Sequence, residues 1–205
     1  MPIRLGLLAP LLIAATLPVW ASGCNSSEQS EPTRPATTGT STRTETSAGG
    51  IDTLEGAGTE PVSVQPEGKK TALLERVSVG RHEGYDRVVF QFKDVLPGYR
   101  VEYVKPPLRQ DGSGNVIKVS GEVFVHVRME LASGFDLSKN EGELVYKGPR
   151  RIGGKQAGTS VIVEAVQISD FEAVLSWAIG LSDRVDFRVT TLDDPARLVV
   201  DFRNH

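Results

Sequence analysis

The chain has 205 residues, of which 39% are hydrophobic and 24% charged, and its formal net charge is -3. This composition is near the average for globular proteins, and the slightly negative charge argues against a nucleic-acid-binding protein that uses a basic surface. The single cysteine excludes an internal disulfide, so the fold must be stabilised by packing alone.

The first 23 residues are predicted to be a signal peptide. Arg4 precedes an apolar run from Leu5 to Trp20, and the small residues 21–23 lead directly into Cys24. The run is short and contains two prolines, which favours a cleaved signal over a permanent transmembrane helix. Small residues followed by cysteine resemble the lipobox of bacterial lipoproteins, which implies a diacylglycerol on Cys24. The alternative is an ordinary secretory signal with an incidental cysteine.

A flexible tether is predicted from Cys24 to residue 71. Ser, Thr, Gly, Glu and Pro dominate this segment, and large apolar residues are scarce. Such a composition buries too little apolar surface to offset the entropy of ordering. The folded domain is therefore expected over residues 72–205.

Strands are predicted throughout this domain from strict alternation. In Asp86–Phe92, the residues Val88, Phe90 and Phe92 point to one side, and Arg197–Phe202 repeats the same pattern near the C-terminus. We expect these two segments to be core strands of one closed β domain.

The middle of the domain contains one clear strand and one ambiguous segment. Glu122–Leu131 alternates with valines, a methionine and a leucine on its inner face. Phe171–Ile179 fits either a strand face or the stripe of a helix. We interpret it as a strand because residues 180–183 then form a turn into another alternating segment. The total of about eight or nine short strands with frequent turn signals predicts an all-β fold, a single β-sandwich or jelly-roll-like domain.

A polar cluster beside the opening strand is the first candidate binding surface. Its members are Arg81, His82, Tyr85, Asp86 and Arg87. Aromatic and arginine side chains together can stack on a sugar and bind a carboxylate. The alternative is structural: a cross-strand ion pair that orders the sheet. Its acid would be Asp86 or Asp201, and its base Arg87 or Arg197.

A basic loop at residues 147–155 is the second candidate surface. It contains Lys147, Arg150, Arg151 and Lys155, and no acidic residue. A local positive patch on an acidic protein suits an anionic envelope polymer or lipid headgroups. The alternative is an ordinary solvated loop.

Catalytic and metal-binding motifs are weak in this sequence. His82, His126 and His205 are far apart and lack metal-ligand spacing, and no cofactor motif is present, so neither a metal nor a cofactor is predicted. Asp170 and Glu172 could in principle support acid–base chemistry.

Three separated segments together resemble a known family. They are Asp86–Phe92, residues 170–181 and residues 194–201. In order and spacing they resemble the AMIN-like domain of actinobacterial lipoproteins, and more distantly the AMIN domain of cell-wall amidases and secretins. The resemblance covers roughly residues 73 to 202.

The resemblance implies a non-catalytic module on the outer face of the cell membrane. Its partners would be peptidoglycan or an envelope protein, besides the membrane itself through the N-terminal lipid. Two alternatives are kept. One is a ligand-sensing lipoprotein with an internal pocket near Trp177. The other is a wall hydrolase that uses Asp170, Glu172 or His82.

Overall fold

The computed structural model describes residues 54–138 and 140–204. The predicted signal peptide, the predicted lipidation site Cys24 and the first part of the predicted tether lie outside these residues, as does His205. Within the described part of the chain, no helix combines the length and the hydropathy that crossing a membrane requires.

Thirteen strands and one short helix occur in the described residues. They are β1 (Val62–Val64), β2 (Ala72–His82), β3 (Tyr85–Phe92), β4 (Gly98–Val104), β5 (Val123–Glu130), β6 (Ala132–Ser133), β7 (Phe135–Asp136), β8 (Glu143–Leu144), β9 (Arg151–Gly153), α1 (Gly154–Ala157), β10 (Ile162–Phe171), β11 (Val174–Leu181), β12 (Phe187–Asp193) and β13 (Ala196–Arg203).

The predicted all-β class is confirmed, and the strand count is higher than the predicted eight or nine. Eight strands have seven or more residues, which agrees with the alternating segments in the sequence. The other five have two or three residues each. Alternation cannot be recognised over so few residues, so these short strands had no sequence signal.

The strands form two large sheets and one small one. The six-stranded sheet has the order β1-β4-β5-β11-β10-β9, and the five-stranded sheet has the order β12-β13-β3-β2-β6. β7 and β8 form a separate two-stranded sheet. All pairings within the large sheets are antiparallel except the short parallel contact between β2 and β6.

The two similar arginine-containing strands pair directly with each other in the five-stranded sheet. β3 and β13 are antiparallel neighbours, with Leu198 opposite Phe90 and Val200 opposite Val88. Phe90 and Phe202 are both 0% exposed. The prediction that these segments are core strands of one domain is therefore confirmed.

The core lies between the two large sheets, with Trp177 of β11 near its centre. Trp177 is 0% exposed and contacts Phe90 of β3 edge-on, with 5.8 Å between ring centroids. Tyr146 also contacts the indole edge-on, with 5.9 Å between ring centroids. The predicted internal ligand pocket near Trp177 is therefore not supported, because the rings of Phe90 and Tyr146 pack against the fully buried indole.

The ambiguous segment at Phe171–Ile179 contains the turn of a β-hairpin and most of the hairpin's second strand. Phe171 ends β10 and Val174 begins β11, while Glu172 and Ala173 between them have φ angles of 50° and 58°. Two consecutive residues with positive φ form the tight turn whose twist matches antiparallel strands. The strand interpretation is confirmed, and the helical alternative is wrong.

The ordered domain begins earlier than the predicted boundary at residue 72. Val62–Val64 form β1, which pairs with Tyr99–Val101 of β4. Upstream of it, Leu54 is 1% exposed, and Gly58 exchanges two backbone hydrogen bonds with Phe187, at 3.0 and 2.9 Å. The predicted spacer over residues 24–71 is thus wrong for this stretch. A three-residue edge strand in a polar segment offers too little apolar periodicity to be recognised.

Candidate functional site

Strand alternation divides the first candidate surface between two sides of the sheet. Tyr85 and Arg87 are directed away from the core, and His82 stacks on Tyr85 with ring centroids 4.9 Å apart and an interplanar angle of 13°. The Arg87 guanidinium lies over the same tyrosine ring at 4.9 Å. Arg81 and Asp86 are cross-strand neighbours on the other side.

Arg87 donates hydrogen bonds to both carboxylate oxygens of Asp201, which lies on the neighbouring strand. Its Nε donates to Oδ1 at 2.6 Å and its Nη2 to Oδ2 at 2.9 Å, while Arg188 of β12 donates to Oδ2 at 3.0 Å. Asp201 is 0% exposed although it is directed outward, since the two arginines cover it. The hydrogen bond to Asp201 raises the pKa of Arg87, against the opposing effect of burial. We call Arg87, Arg188 and Asp201 the Asp201 cluster.

Asp86 joins the two large sheets. One carboxylate oxygen accepts hydrogen bonds from the backbone N–H groups of Ser160, Val161 and Ile162 at 2.7, 2.7 and 3.2 Å. The other accepts from the Asn204 side-chain amide at 2.9 Å. Asp86 is 0% exposed, so these contacts replace all of its hydration.

The contacts of this first candidate surface are therefore mainly structural. The expected cross-strand ion pair exists and consists of Asp201 and Arg87, whereas Asp86 binds backbone groups instead of an arginine. Binding of a sugar by His82, which is exposed, and Tyr85, which is only 9% exposed, stays a prediction.

The four cations of the basic loop have different environments. Arg151 forms an ion pair with Glu164 and donates to the Lys118 carbonyl at 2.8 Å. Lys155 lies in helix α1. The side chains of Lys147 and Arg150, by contrast, have no hydrogen bond or ion pair to any residue that the structure describes.

A cleft with several compartments adjoins these two free cations. Three cavities of about 380, 660 and 160 Å³ are all lined by both Arg150 and Asp170. The first lies over the β10 residues 166–170, the second reaches β7 and β8, and the third includes Lys147. We call this set of cavities the Arg150 cleft.

Tyr146 fixes the backbone that carries Arg150. Its hydroxyl donates to the Pro149 carbonyl at 2.7 Å, and burial raises the pKa of Tyr146 to about 12. A Cβ atom on Gly148 would lie 2.7 Å from the same hydroxyl, so only glycine fits at this point of the loop. On the strand side, the Arg150 carbonyl accepts a hydrogen bond from the Gln167 N–H at 2.8 Å. The loop therefore has a defined path even though its side chains are exposed.

Ser169 is a site residue that sequence reasoning missed. It is 3% exposed, lines the cavity of about 380 Å³, and its hydroxyl has no hydrogen-bond partner among the described residues. A β-bulge between Gln167 and Ser169 shifts the register of β10 at this point. A serine in an alternating strand gives no signal of such a position, because a bulge is not visible in the hydrophobic pattern.

Two of the three residues of the hydrolase hypothesis, Asp170 and Glu172, line one cavity, and His82 lies elsewhere. Asp170 accepts hydrogen bonds from the Ser133 hydroxyl at 2.9 Å and the Gly134 N–H at 2.8 Å. Glu172 lines the same cavity of about 660 Å³ from the hairpin turn. His82 lies at the opposite end of β2 from the cavity-lining Leu73, roughly 30 Å along the strand. The three residues of the hydrolase hypothesis are therefore not brought together.

No group of three or more His, Cys, Asp or Glu side chains suited to hold a metal ion occurs within residues 54–138 and 140–204. His126 is directed outward from β5, and burial, together with nearby Arg128, lowers its pKa.

Comparison with known proteins gives one result at the family level. Neither the search of curated proteins nor the search of solved structures found a match to this chain. The family model for the AMIN-like domain matches residues 72–204, which is most of the sandwich described above. The chain therefore belongs to the AMIN-like domain family.

Proposed function

We propose that this protein is a membrane-anchored cell-envelope lipoprotein whose AMIN-like domain binds cell-wall polymer without catalysing a reaction. The observation that carries the proposal is the Arg150 cleft. It presents cationic side chains that have no partner among the described residues, on a loop that Tyr146 holds in place, and its Asp170 carboxylate is already bound by Ser133 and Gly134. Membership of a family of non-catalytic binding domains supports the same function.

The N-terminal sequence supports the anchor. Cleavage before Cys24 would leave this residue as the lipidated N-terminus, on the extracytoplasmic face of a bacterial membrane. A single acyl chain gives reversible membrane binding, and two or more give a stable anchor. The polar residues after Cys24 would then separate the domain from the bilayer, within reach of the cell wall.

The polymer-binding part is tested with the full-length chain purified in detergent and incubated with isolated sacculi. The expected result is retention that exceeds that of an unrelated β-sandwich lipoprotein and falls with increasing salt. Retention no greater than that of this control would overturn polymer binding and leave an envelope protein as the partner.

The anchor is tested separately by fractionation of cells. The wild-type chain is expected in the membrane fraction, and Cys24→Ala is expected to leave it. A Cys24→Ala chain that stays in the membrane would contradict lipidation at this residue.

A further inference from the structure

We infer that the Arg150 cleft is a binding site for a carboxylate-bearing sugar polymer, with the carboxylate held by Arg150 and the sugar hydroxyls and amides held along β10. The inference rests on the proposed function and assigns its site and ligand chemistry. Nothing in the family match assigns a ligand-binding residue.

The charge assignment follows from which cleft residues already have partners. Lys70 binds Asp94 at 2.9 Å, Asp170 binds Ser133 and Gly134, and Arg151 is paired with Glu164. After these pairs are removed, the lining residues without a hydrogen bond or ion pair to the described residues are three cations, Lys93, Lys147 and Arg150, and one acid, Glu172. This excess of unpaired cations favours a ligand that carries negative charge.

A carboxylate fits this set better than a phosphate does. A single guanidinium can bind either group through two parallel hydrogen bonds, but the greater negative charge of a phosphate is usually matched by a cluster of arginines. Arg151 cannot complete such a cluster, because Glu164 and the Lys118 carbonyl already occupy its guanidinium. The Asp170 carboxylate at the same junction of cavities also disfavours a second negative charge on the ligand.

The neighbouring surface favours a sugar over a simple anion. Gln110 and Gln167 line the cavity of about 380 Å³ together with Ser169, whose buried hydroxyl lacks a partner among the described residues. Hydroxyl and amide groups of a sugar could satisfy such side chains. The cavity of about 660 Å³ adds the Phe135 ring, 37% exposed, as an apolar wall for the carbon face of a sugar ring.

The size of the cleft favours an oligomer. Each of the two larger cavities has the volume of a ligand site, and both share Arg150 and Asp170 at their junction. An extended chain could therefore place one unit on each side of Arg150.

The binding test compares matched disaccharides by calorimetry on the full-length protein. The first probe is N-acetylglucosaminyl-N-acetylmuramic acid, and the second is N,N′-diacetylchitobiose, which lacks the lactyl carboxylate. The acidic disaccharide is expected to bind at least about tenfold more tightly than the neutral one. Equal affinity for the two, or binding of neither, would overturn the inference.

Two pairs of variants locate the site. Arg150→Gln is expected to weaken binding about tenfold, whereas Lys155→Gln removes the same charge from the same loop outside the cleft and should change nothing. Ser169→Ala is expected to weaken binding severalfold, whereas Ser176→Ala removes a similarly buried, unpartnered hydroxyl that does not line this cavity. An equal effect within either pair would contradict the site.

Two further measurements distinguish failure of the site from failure of the proposed function. Tetragalacturonate is an acidic sugar polymer unrelated to the cell wall. If it binds through Arg150 while sacculi do not retain the protein, the site is correct and the proposed function is wrong. If sacculi retain wild type and Arg150→Gln equally, the function is correct and the site is wrong. Inorganic phosphate is added as a competitor at the same concentration as the acidic disaccharide. If phosphate displaces the disaccharide under this condition, the assignment of a carboxylate is wrong.

Discussion

Two arginine-containing regions of this sandwich differ in what their guanidinium groups contact. In the Asp201 cluster, Arg87 and Arg188 enclose one fully buried carboxylate. In the Arg150 cleft, a loop held by the Tyr146 hydroxyl presents an arginine to open cavities, and this arginine has no ion pair to the described residues. The same side chain thus stabilises the fold in one region and is available for a ligand in the other. The two kinds of arginine are distinguished by how deeply they are buried and by whether they have an ion-pair partner, which the residue type alone does not reveal.

Removal of the Asp86 carboxylate, which joins the two sheets beside the Asp201 cluster, should have the largest effect on the free energy of unfolding. Asp86→Ala leaves the N–H groups of the buried residues Val161 and Ile162 without an acceptor. We expect a loss of about 3–5 kcal/mol in the free energy of unfolding, measured by urea denaturation. Glu83→Ala, at an exposed position in the adjacent turn, should change it by less than about 0.5 kcal/mol. Similar losses for the two variants would contradict the bridging role of Asp86.

The next largest effect is expected within the Asp201 cluster itself. Asp201→Asn removes the negative charge that Arg87 and Arg188 share, and we expect a loss of about 2–3 kcal/mol in the free energy of unfolding. The control is Asp186→Asn, because the Asp186 side chain is 44% exposed and its carboxylate lies 3.5 Å from the Arg203 guanidinium. Such an exposed pair contributes about 1 kcal/mol or less. Thermal or urea unfolding of both variants measures the difference, and a reversed order would refute the assignment.

A smaller, pH-dependent effect is expected at Glu164, beside the cleft. Burial acts to raise the pKa of this carboxyl group, but hydrogen bonds from Arg151 and the Ser120 N–H outweigh it and lower the pKa below 4.5. Because the folded-state pKa is the lower one, the stabilisation is present above about pH 4.5 and is lost as the pH falls through the folded-state value.

Glu164→Gln should therefore make stability less dependent on pH in the acid range. Urea unfolding at a series of pH values from about 6 down to 3 measures the slope. Glu75→Gln, at an exposed position of β2, is the control and should leave the wild-type slope unchanged. A wild-type slope in Glu164→Gln would show that this ion pair contributes nothing to the pH dependence.

The smallest effect on stability is expected at Arg150. Its side chain is exposed and has no partner among the described residues, so Arg150→Gln should change the free energy of unfolding by less than about 0.5 kcal/mol. Urea unfolding of Arg150→Gln, compared with that of the control variant Lys155→Gln, measures this change. A loss comparable to that of Asp201→Asn would mean that Arg150 is structural, and the contrast between the two regions would disappear.

Much of the fold could be predicted from the sequence, since eight strands are long enough for alternation to show. Phe90 and Phe202 were assignable to the core because each belongs to such a segment. β1 could not be recognised, because it has only three residues and derives its order from pairing with β4. Its stability comes from a neighbour distant in sequence, which local pattern does not encode.

The candidate site was less predictable than the fold. The basic loop was recognisable as a cluster of charge, but its composition does not show that Glu164 binds Arg151 while Arg150 stays free. The cross-strand pair of Arg87 and Asp201 was expected as one of several pairings, and register decided among them. Ser169 had no signal at all, because its position depends on a bulge.

The most direct test of the account is the affinity of Arg150→Gln and Arg87→Gln for the same acidic disaccharide, under conditions in which both full-length variants are folded. We predict that Arg87→Gln is less stable but binds like wild type, whereas Arg150→Gln is as stable as wild type and binds about tenfold more weakly. The opposite pattern, with binding lost in Arg87→Gln and retained in Arg150→Gln, would place the ligand on the outer face at the Asp201 cluster and contradict the account.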